Sequence, residues 1–155
     1  INALNKIKLI KFWILPNNDA GFQDIKDEIL NFRREDTKIL SNLPRFQYLT
    51  LLKNSKFIIG NSSSGILEAP TFKVPAINLG NRQKNRFRGE NIIDVEVINE
   101  KLIKKAIDKA ISKNFVDKLK KTINPYGIGN SSKKIIDIIL KTKITKKLLS
   151  KHLTY

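Results

Sequence analysis

The sequence has 155 residues, a formal net charge of +16, no cysteine and a single histidine, His152. The length suffices for one domain with a hydrophobic core, while the missing cysteines exclude disulfides, thiolate nucleophiles and cysteine-ligated metal sites. A lone histidine disfavours a histidine-rich metal site or a Ser–His catalytic pair. No apolar run approaches the roughly 20 residues that cross a bilayer and no signal peptide is visible, so we expect a cytoplasmic protein without a membrane partner.

The positive charge is concentrated in the last third of the chain. Residues 100–155 carry 15 lysines and four acidic residues. Such an excess favours anionic partners, which include nucleotides, nucleic acid and acidic lipid, and does not choose among them.

Apolar periodicity predicts alternating strands and helices over the first 60 residues. Ile1 and Leu4 have helical spacing, as at the end of a helix whose beginning is missing, so we expect the chain to be a fragment. The elements that follow are predicted as a strand over 7–15, a polar turn over 16–21, a helix over 22–32, a short strand over 37–43, a helix opened by Pro44 and a strand over 56–60.

The same alternation continues to the C-terminus. The predicted elements are a short helix over 64–72, a strand over 74–80, a loop over 81–91, a strand over 92–95, a helix over 99–114, a turn over 124–130 and a helix over 132–141 capped by Ser131. This order indicates an α/β fold, a Rossmann-like parallel sheet with helices on both faces, in which ligands bind beyond the carboxyl ends of the strands. We expect this domain to span residues 1–140, with a basic tail over 141–155.

The stretch "GNSSSG", residues 60–65, follows a predicted buried strand. A helix that begins at Ser62 or Ser63 would offer free backbone N–H groups and a partial positive charge to an anion, and the serine hydroxyls would add donors. The alternative is an ordinary N-cap in a serine-rich loop. Glu68, in the second turn of that helix, would accept hydrogen bonds from both ribose hydroxyls, or be a solvated surface residue.

Two further polar segments follow predicted strands. The loop over 81–91 carries four cations, which are Arg82, Lys84, Arg86 and Arg88. Because a guanidinium binds phosphate with two hydrogen bonds, this loop would reinforce a phosphate site, or else form a solvated face. The turn before the first long helix contains Asn17, Asn18 and Asp19, which would cap that helix and could also contact a ligand.

Taken together, these segments resemble the C-terminal half of the hydrolysing UDP-N-acetylglucosamine 2-epimerases. The resemblance rests on "LPNNDAG", "FIIGNSSSGILEAPTFKVPAINLGNRQKNRFRGENII" and "NPYGIGNSSKKIIDIIL" and runs over about residues 7–140. The order of N-S-S-S-G-I-x-E-A-P, V-P-x-I-N-x-G-x-R-Q and R-G-E-N separates this branch from the non-hydrolysing epimerases.

The resemblance implies a two-domain fold of the glycosyltransferase-B type, in which this half holds UDP in a cleft between two Rossmann-like domains. By motif match, six residues are expected to bind UDP: Ser62 and Ser63 the diphosphate, Arg82 the phosphates, Glu68 the ribose, Leu43 the uracil through backbone atoms, and Asn17 near the nucleotide. The implied reaction eliminates UDP to give 2-acetamidoglucal and then adds water to give N-acetylmannosamine, for sialic acid synthesis, without cofactor or metal. Close relatives act on a diacetamido-trideoxy sugar nucleotide, towards legionaminic acid.

The family's catalytic carboxylates and a substrate-binding histidine lie in or next to an N-terminal domain that this chain lacks. We therefore expect no catalytic residue here, UDP binding at best, no turnover by the chain alone, and a homo-oligomer for the full-length protein.

Two alternatives remain open. A UDP-sugar glycosyltransferase of the same architecture is not expected to carry the NSSSG and NxGxRQ runs together. A non-catalytic basic module for nucleotides or nucleic acid would need aromatic side chains among its lysines, and residues 100–155 contain only Phe115, Tyr126 and Tyr155.

Overall fold

The structure is a computed structural model that describes residues 1–15, 22–32 and 34–150. The strands in this part of the chain are β1 (Lys11–Ile14), β2 (Thr37–Leu40), β3 (Ile58–Gly60), β4 (Ala76–Leu79) and β5 (Ile92–Val95). The helices are α1 (Asn2–Asn5), α2 (Phe22–Asn31), α3 (Arg45–Lys53), α4 (Ser64–Leu67), a 3₁₀ helix (Ala69–Phe72), α5 (Glu100–Ile111), α6 (Lys113–Lys120), α7 (Ser131–Lys141) and α8 (Lys146–Leu149).

All strand pairs are parallel, as the alternation of strands and helices predicts. β1 pairs with β2, and β4 lies between β3 and β5 in a second sheet. Helices lie in the connections from β1 to β2 and from β3 to β4, whereas a loop over 80–91 joins β4 to β5. The α/β class predicted from the sequence is confirmed. The described hydrogen bonds form two sheets of two and three strands.

The three-stranded sheet is covered by helices on both faces. Neighbouring side chains of a strand point to opposite sides, so each strand contributes to two apolar clusters. Ala76 of β4 packs on one face and Ile77 on the other. The face of Ala76 is completed by Leu52, Ala69 and Val74. The face of Ile77 is completed by Ile93, Val95, Ile103, Ala106, Ile107 and Ala110, most of them from α5.

The short helix α4 lies close against β4. A Cβ atom on Gly65 would come within 3.1 Å of the Cβ of Ala76. Since that approach is tighter than most carbon contacts, the absent side chain of Gly65 lets α4 pack directly on the sheet. This packing sets the position of residues 60–63 before α4, which we call the serine turn.

Two predictions about the C-terminal helices are wrong. The helix expected over 99–114 is two helices, because Ser112 leaves the helical conformation (ψ 139°) and its Oγ accepts from the N–H of Phe115 (3.4 Å), capping α6. The apolar repeat continues across Ser112 and so hides this break. Ser131 is the first residue inside α7 and not its cap, which is Asn130 in a left-handed conformation (φ 65°).

The predicted strands over 7–15 and 37–43 are shorter than expected, since β1 begins at Lys11 and β2 ends at Leu40. Lys11 links β1 to the residue before β2 at the end of the sheet where both strands begin. Its N–H donates to the Asp36 carbonyl (2.8 Å) and its Nζ to the Asp36 carboxylate (2.5 Å). The hydrogen bond from Lys11 lowers the pKa of Asp36 below its usual 3.8.

Helix α7 buries none of its side chains against the described residues. Ile135, Ile136, Ile138 and Ile139 are each more than half exposed, at 54–65%. Exposed apolar side chains in this number are typical of a surface that takes part in an interaction. Within the described residues, no helix combines the length and apolarity needed to span a bilayer.

Candidate functional site

The described residues that are expected to bind a ligand follow the carboxyl ends of successive strands. Leu43 comes after β2, Ser62 and Ser63 after β3, and Arg82 after β4. Asn17, Asn18, Asp19 and His152 lie outside the described residues. Among the described residues, no group of three or more histidine or acidic side chains is arranged to hold a metal ion.

The serine turn directs donors outward. The Oγ of Ser62 accepts from the N–H of Ser64 (3.3 Å), and the carbonyl of Ser63 accepts from Ile66 and Leu67 (both 2.9 Å). In the part of the chain that the structure describes, the backbone N–H groups of Ser62 and Ser63 make no hydrogen bond. Two adjacent donors without an acceptor at a partly exposed turn are suited to bind an anion.

Helix α4 begins at Ser64, one or two residues later than expected, and has only four residues. Because a macrodipole grows from many aligned peptide units, so short a helix contributes little of it. The affinity of this turn for an anion must therefore come mainly from N–H and hydroxyl donors.

Helix α3 supports the start of α4. The hydroxyls of Tyr48 and Ser64 are hydrogen-bonded, and Ser64 is 8% exposed. Burial raises the pKa of Tyr48 above its usual 10.0, so its hydroxyl stays protonated and available as a donor at neutral pH. Ser64 thus acts inside the fold, while Ser62 and Ser63 face outward.

Glu68 follows α4 and is half-buried, with 24% of its side chain exposed. One carboxylate oxygen lies 3.7 Å from Nη1 of Arg45, at the first residue of α3. Leu43 lies two residues before Arg45, and its backbone N–H donates to Oδ1 of Asn42 (2.8 Å). The segment of Leu43 and Arg45 is therefore beside Glu68.

The cations of the loop over 81–91 differ in their partners. Nη1 of Arg88 donates to both carboxylate oxygens of Asp94 (2.7 and 2.6 Å), and Lys84 lies 3.6 Å from Glu96. Arg88 is thus committed to an internal ion pair and not to a phosphate. Arg82 is exposed and lies next in the chain to Gln83, whose Nε2 donates to the carbonyl of Asn61 (2.8 Å).

Two other buried amides hold α4 from outside its own segment. Nδ2 of Asn91 donates to the carbonyls of Gly65 (3.0 Å) and Val74 (3.1 Å), and Asn91 is 1% exposed. Nδ2 of Asn124 donates to the carbonyl of Leu67 (2.9 Å). Sequence reasoning assigned no role to these amides or to Gln83, although all three stand in the runs RGEN, NPYG and NxGxRQ that define the motif pattern.

Comparison with known protein families gives one match over most of the chain. A family model described as UDP-N-acetylglucosamine 2-epimerase matches residues 1–140.

Two curated relatives carry names from the hydrolysing branch. The GDP/UDP-N,N'-diacetylbacillosamine 2-epimerase (hydrolyzing) of Campylobacter jejuni is 47% identical over 139 residues, which are 88% of this chain and 35% of the relative. The UDP-N,N'-diacetylbacillosamine 2-epimerase (hydrolyzing) of Legionella pneumophila is 33% identical over 141 residues, 90% of this chain and 36% of the relative. The chain thus spans about a third of the length of these relatives.

Among solved structures, the fold is similar to that of Methanocaldococcus jannaschii UDP-GlcNAc 2-epimerase, determined in complex with UDP-GlcNAc and UDP. The TM-score is 0.69 at 19% identity, and the match covers 91% of this chain and 38% of that one. At this identity the likeness concerns the fold, and the glycosyltransferase-B-type architecture expected from the sequence is confirmed at that level.

Proposed function

The chain belongs to the UDP-N-acetylglucosamine 2-epimerase family, and we propose that it is the UDP-binding portion of a hydrolysing member. The complete enzyme would eliminate UDP from UDP-N-acetylglucosamine and add water to the resulting 2-acetamidoglucal, which gives N-acetylmannosamine. The names of the Campylobacter and Legionella relatives support the hydrolysing branch and make a diacetamido-trideoxy sugar nucleotide the second candidate substrate. Sialic or legionaminic acid synthesis and a cytoplasmic location remain predictions.

The observation that carries this proposal is that, among the described residues, the backbone N–H groups of Ser62 and Ser63 have no hydrogen-bond acceptor. We assign the diphosphate to this turn, with Arg82 as the neighbouring cation. Glu68 would take the ribose hydroxyls, and Leu43 would meet the uracil through backbone atoms. Asn17 lies outside the described residues, and its place near the nucleotide stays a prediction. The proposed elimination and hydration consume only the sugar nucleotide and water and release UDP and N-acetylmannosamine, and we propose that they need no cofactor and no metal.

The small size of the cavity beside the turn supports a binding site that is completed by another segment. This cavity has a volume of about 20 Å³ and lies between α4 and the three-stranded sheet, because Ile58, Ile59, Ile66, Ala76, Ile77 and Ile92 line it together with Gly60, Ser62, Gly65 and Asn78. Typical ligand pockets hold about 300–1,000 Å³. A nucleotide on this surface would therefore remain largely open to solvent until a second wall closes over it.

The uncovered face of α7 and the length of the relatives support the same view. We propose that the part of the relatives that this chain does not match packs on Ile135 and Ile139 and brings the catalytic groups, and that the full-length protein forms homo-oligomers. The chain alone should release no UDP from UDP-N-acetylglucosamine, whereas co-expression with the unmatched part of the Campylobacter relative should give a co-purifying, active complex. Ile139→Asp should abolish co-purification and Ser132→Asp, on the same helix, should not. UDP release that tracks the purified chain alone would contradict this prediction.

Calorimetric titration of the chain with UDP, and with AMP as control, tests nucleotide binding directly. We expect saturable binding of UDP that is at least about tenfold tighter than that of AMP. The two N–H donors would contact the diphosphate, the Glu68 carboxylate the ribose and the backbone near Leu43 the uracil. The affinity should fall only moderately between 50 and 200 mM salt. Equal binding of both nucleotides that disappears with salt would favour the basic-module alternative, in which charge alone attracts the ligand.

The glycosyltransferase alternative differs in the fate of the sugar. A transferase passes the glycosyl group to an acceptor, while the epimerase of the proposed complex should release UDP with water alone. Sugar transfer that requires an added acceptor would identify the transferase.

A further inference from the structure

Gln83 is a buried residue in an otherwise exposed loop. It is 2% exposed, whereas its neighbours Arg82 and Lys84 are exposed. Its Nε2 donates to the carbonyl of Asn61 (2.8 Å), the residue that precedes the two outward-facing serines. Its Oε1 has no hydrogen-bond partner within the described residues. Burying a glutamine at this place therefore serves a single hydrogen bond, which goes to the serine turn.

That hydrogen bond sets the orientation of one peptide group. The carbonyl of Asn61 and the N–H of Ser62 belong to the same planar trans peptide and point in opposite directions. With its oxygen held by Gln83, this peptide must direct the N–H of Ser62 away from the Gln83 amide. Gln83 thus fixes one of the two donors on which anion binding at the turn depends.

The backbone of Gln83 is itself anchored to the sheet. Its carbonyl accepts from Nη2 of Arg88 (2.5 Å), and Arg88 is bound to both carboxylate oxygens of Asp94 in β5. Asp94 also accepts from Nδ2 of Asn78 in β4 (2.8 Å). A chain of hydrogen bonds therefore runs from two strands to the serine turn, and Gln83 is its last member.

The hydrogen bond between Gln83 and Asn61 also fixes the position of the Arg82 backbone. Consecutive Cα atoms are about 3.8 Å apart, so fixing Gln83 against Asn61 places the backbone of Arg82 beside the serine turn. One buried amide thereby links the two elements to which we assign the phosphates.

We propose that Gln83 is a positioning residue that holds the serine turn and Arg82 in register for one diphosphate group. This inference rests on the proposed function for the identity of the nucleotide. In this proposal Gln83 does not contact the ligand. It fixes the orientation of the Ser62 N–H and the position of the Arg82 backbone.

The test is a double-mutant cycle on UDP affinity with Gln83→Met and Arg82→Ala. Methionine has nearly the length and volume of glutamine and lacks the donor, and since Oε1 has no partner, little else is lost. Gln83→Met should weaken UDP binding about tenfold, the size expected for misplacing a donor to a charged group. In the Gln83→Met chain, Arg82→Ala should cost at least about threefold less than in the wild type, because Arg82 is already out of place.

Three readouts separate positioning from a general structural role. The melting temperature of Gln83→Met should stay close to that of Gln47→Met, which makes the same change at an exposed site on α3. The affinity for pyrophosphate should fall by the same factor as that for UDP. NMR order parameters of the Ser62 and Ser63 amides should fall in the free Gln83→Met chain and not in Gln47→Met.

Wild-type affinity for UDP in Gln83→Met, or full additivity with Arg82→Ala, would overturn the inference. If the wild-type chain does not bind UDP, the proposed function fails, and pyrophosphate affinity and the order parameters then decide on Gln83 by themselves. Unchanged order parameters in Gln83→Met would reject the positioning role, and a selective loss at Ser62 and Ser63 would support it.

Discussion

Replacing Glu68 by alanine is expected to weaken UDP binding about 30-fold, which corresponds to about 2 kcal/mol. The carboxylate is half-buried directly after α4, so it is held near the serine turn. A carboxylate that accepts from two ribose hydroxyls forms charge-assisted hydrogen bonds, which are stronger than neutral ones. Titration of the variant with UDP and with 2′,3′-dideoxy-UDP measures the ribose contribution, because the second ligand lacks both hydroxyls.

The wild-type chain should prefer UDP over the dideoxy ligand, and Glu68→Ala should bind both equally. Glu35→Ala, at an exposed glutamate in the turn before β2, is the matched control and should keep the preference. Arg45→Ala removes the ion-pair partner of Glu68 at 3.7 Å, and it separates loss of the pair from loss of the ribose contact. A Glu68→Ala chain that still discriminates between the two ligands would reject the ribose assignment.

Replacing Asn91 by alanine is expected to lower the free energy of unfolding by about 3 kcal/mol. Its side chain donates to the carbonyls of Gly65 and Val74, which lie in a region that water does not reach. Alanine leaves both acceptors without a donor and removes buried volume. Since whole domains are stable by only about 5–15 kcal/mol, this change should be visible as a large shift of the urea midpoint.

Asn114→Ala provides the control, because Asn114 is exposed on α6 and its replacement should change stability by less than about 0.5 kcal/mol. Asn91→Asp keeps the size of the side chain and loses both donors. It should therefore be at least as destabilising as Asn91→Ala. A midpoint for Asn91→Ala equal to that of Asn114→Ala would mean that the two hydrogen bonds do not support α4.

The class of fold and the place of the candidate site follow from local patterns in the sequence. Apolar runs such as Ile58–Gly60 and Ala76–Leu79 are recognisable as buried strands, and the repeat over Glu100–Ile111 is recognisable as a helix, because side-chain periods of 2 and 3.6 residues are properties of short segments. The serine turn is found in the same way, since polar residues and glycines directly after a buried run mark the carboxyl end of a strand.

Contacts between distant segments were decided only by the tertiary structure. The amide of Gln83 meets a carbonyl 22 residues away, and that of Asn91 meets one 26 residues away. The periodicity of a sequence relates only neighbouring residues, so it does not predict such pairs. A buried amide forms hydrogen bonds with whichever unpaired backbone group the packing of distant segments brings close to it. The burial of Ser64 under Tyr48, 16 residues away in the chain, has the same origin.

The sequence by itself thus indicated most of the strands and helices, and it placed their polar turns at the carboxyl ends of the strands. The tertiary structure decided which of those polar side chains are exposed at the turns, as Ser62 and Arg82 are, and which are buried and hold the turns in place, as Ser64 and Gln83 are. The physical reason is that backbone conformation depends mainly on near neighbours, whereas burial and hydrogen-bond satisfaction depend on the whole fold.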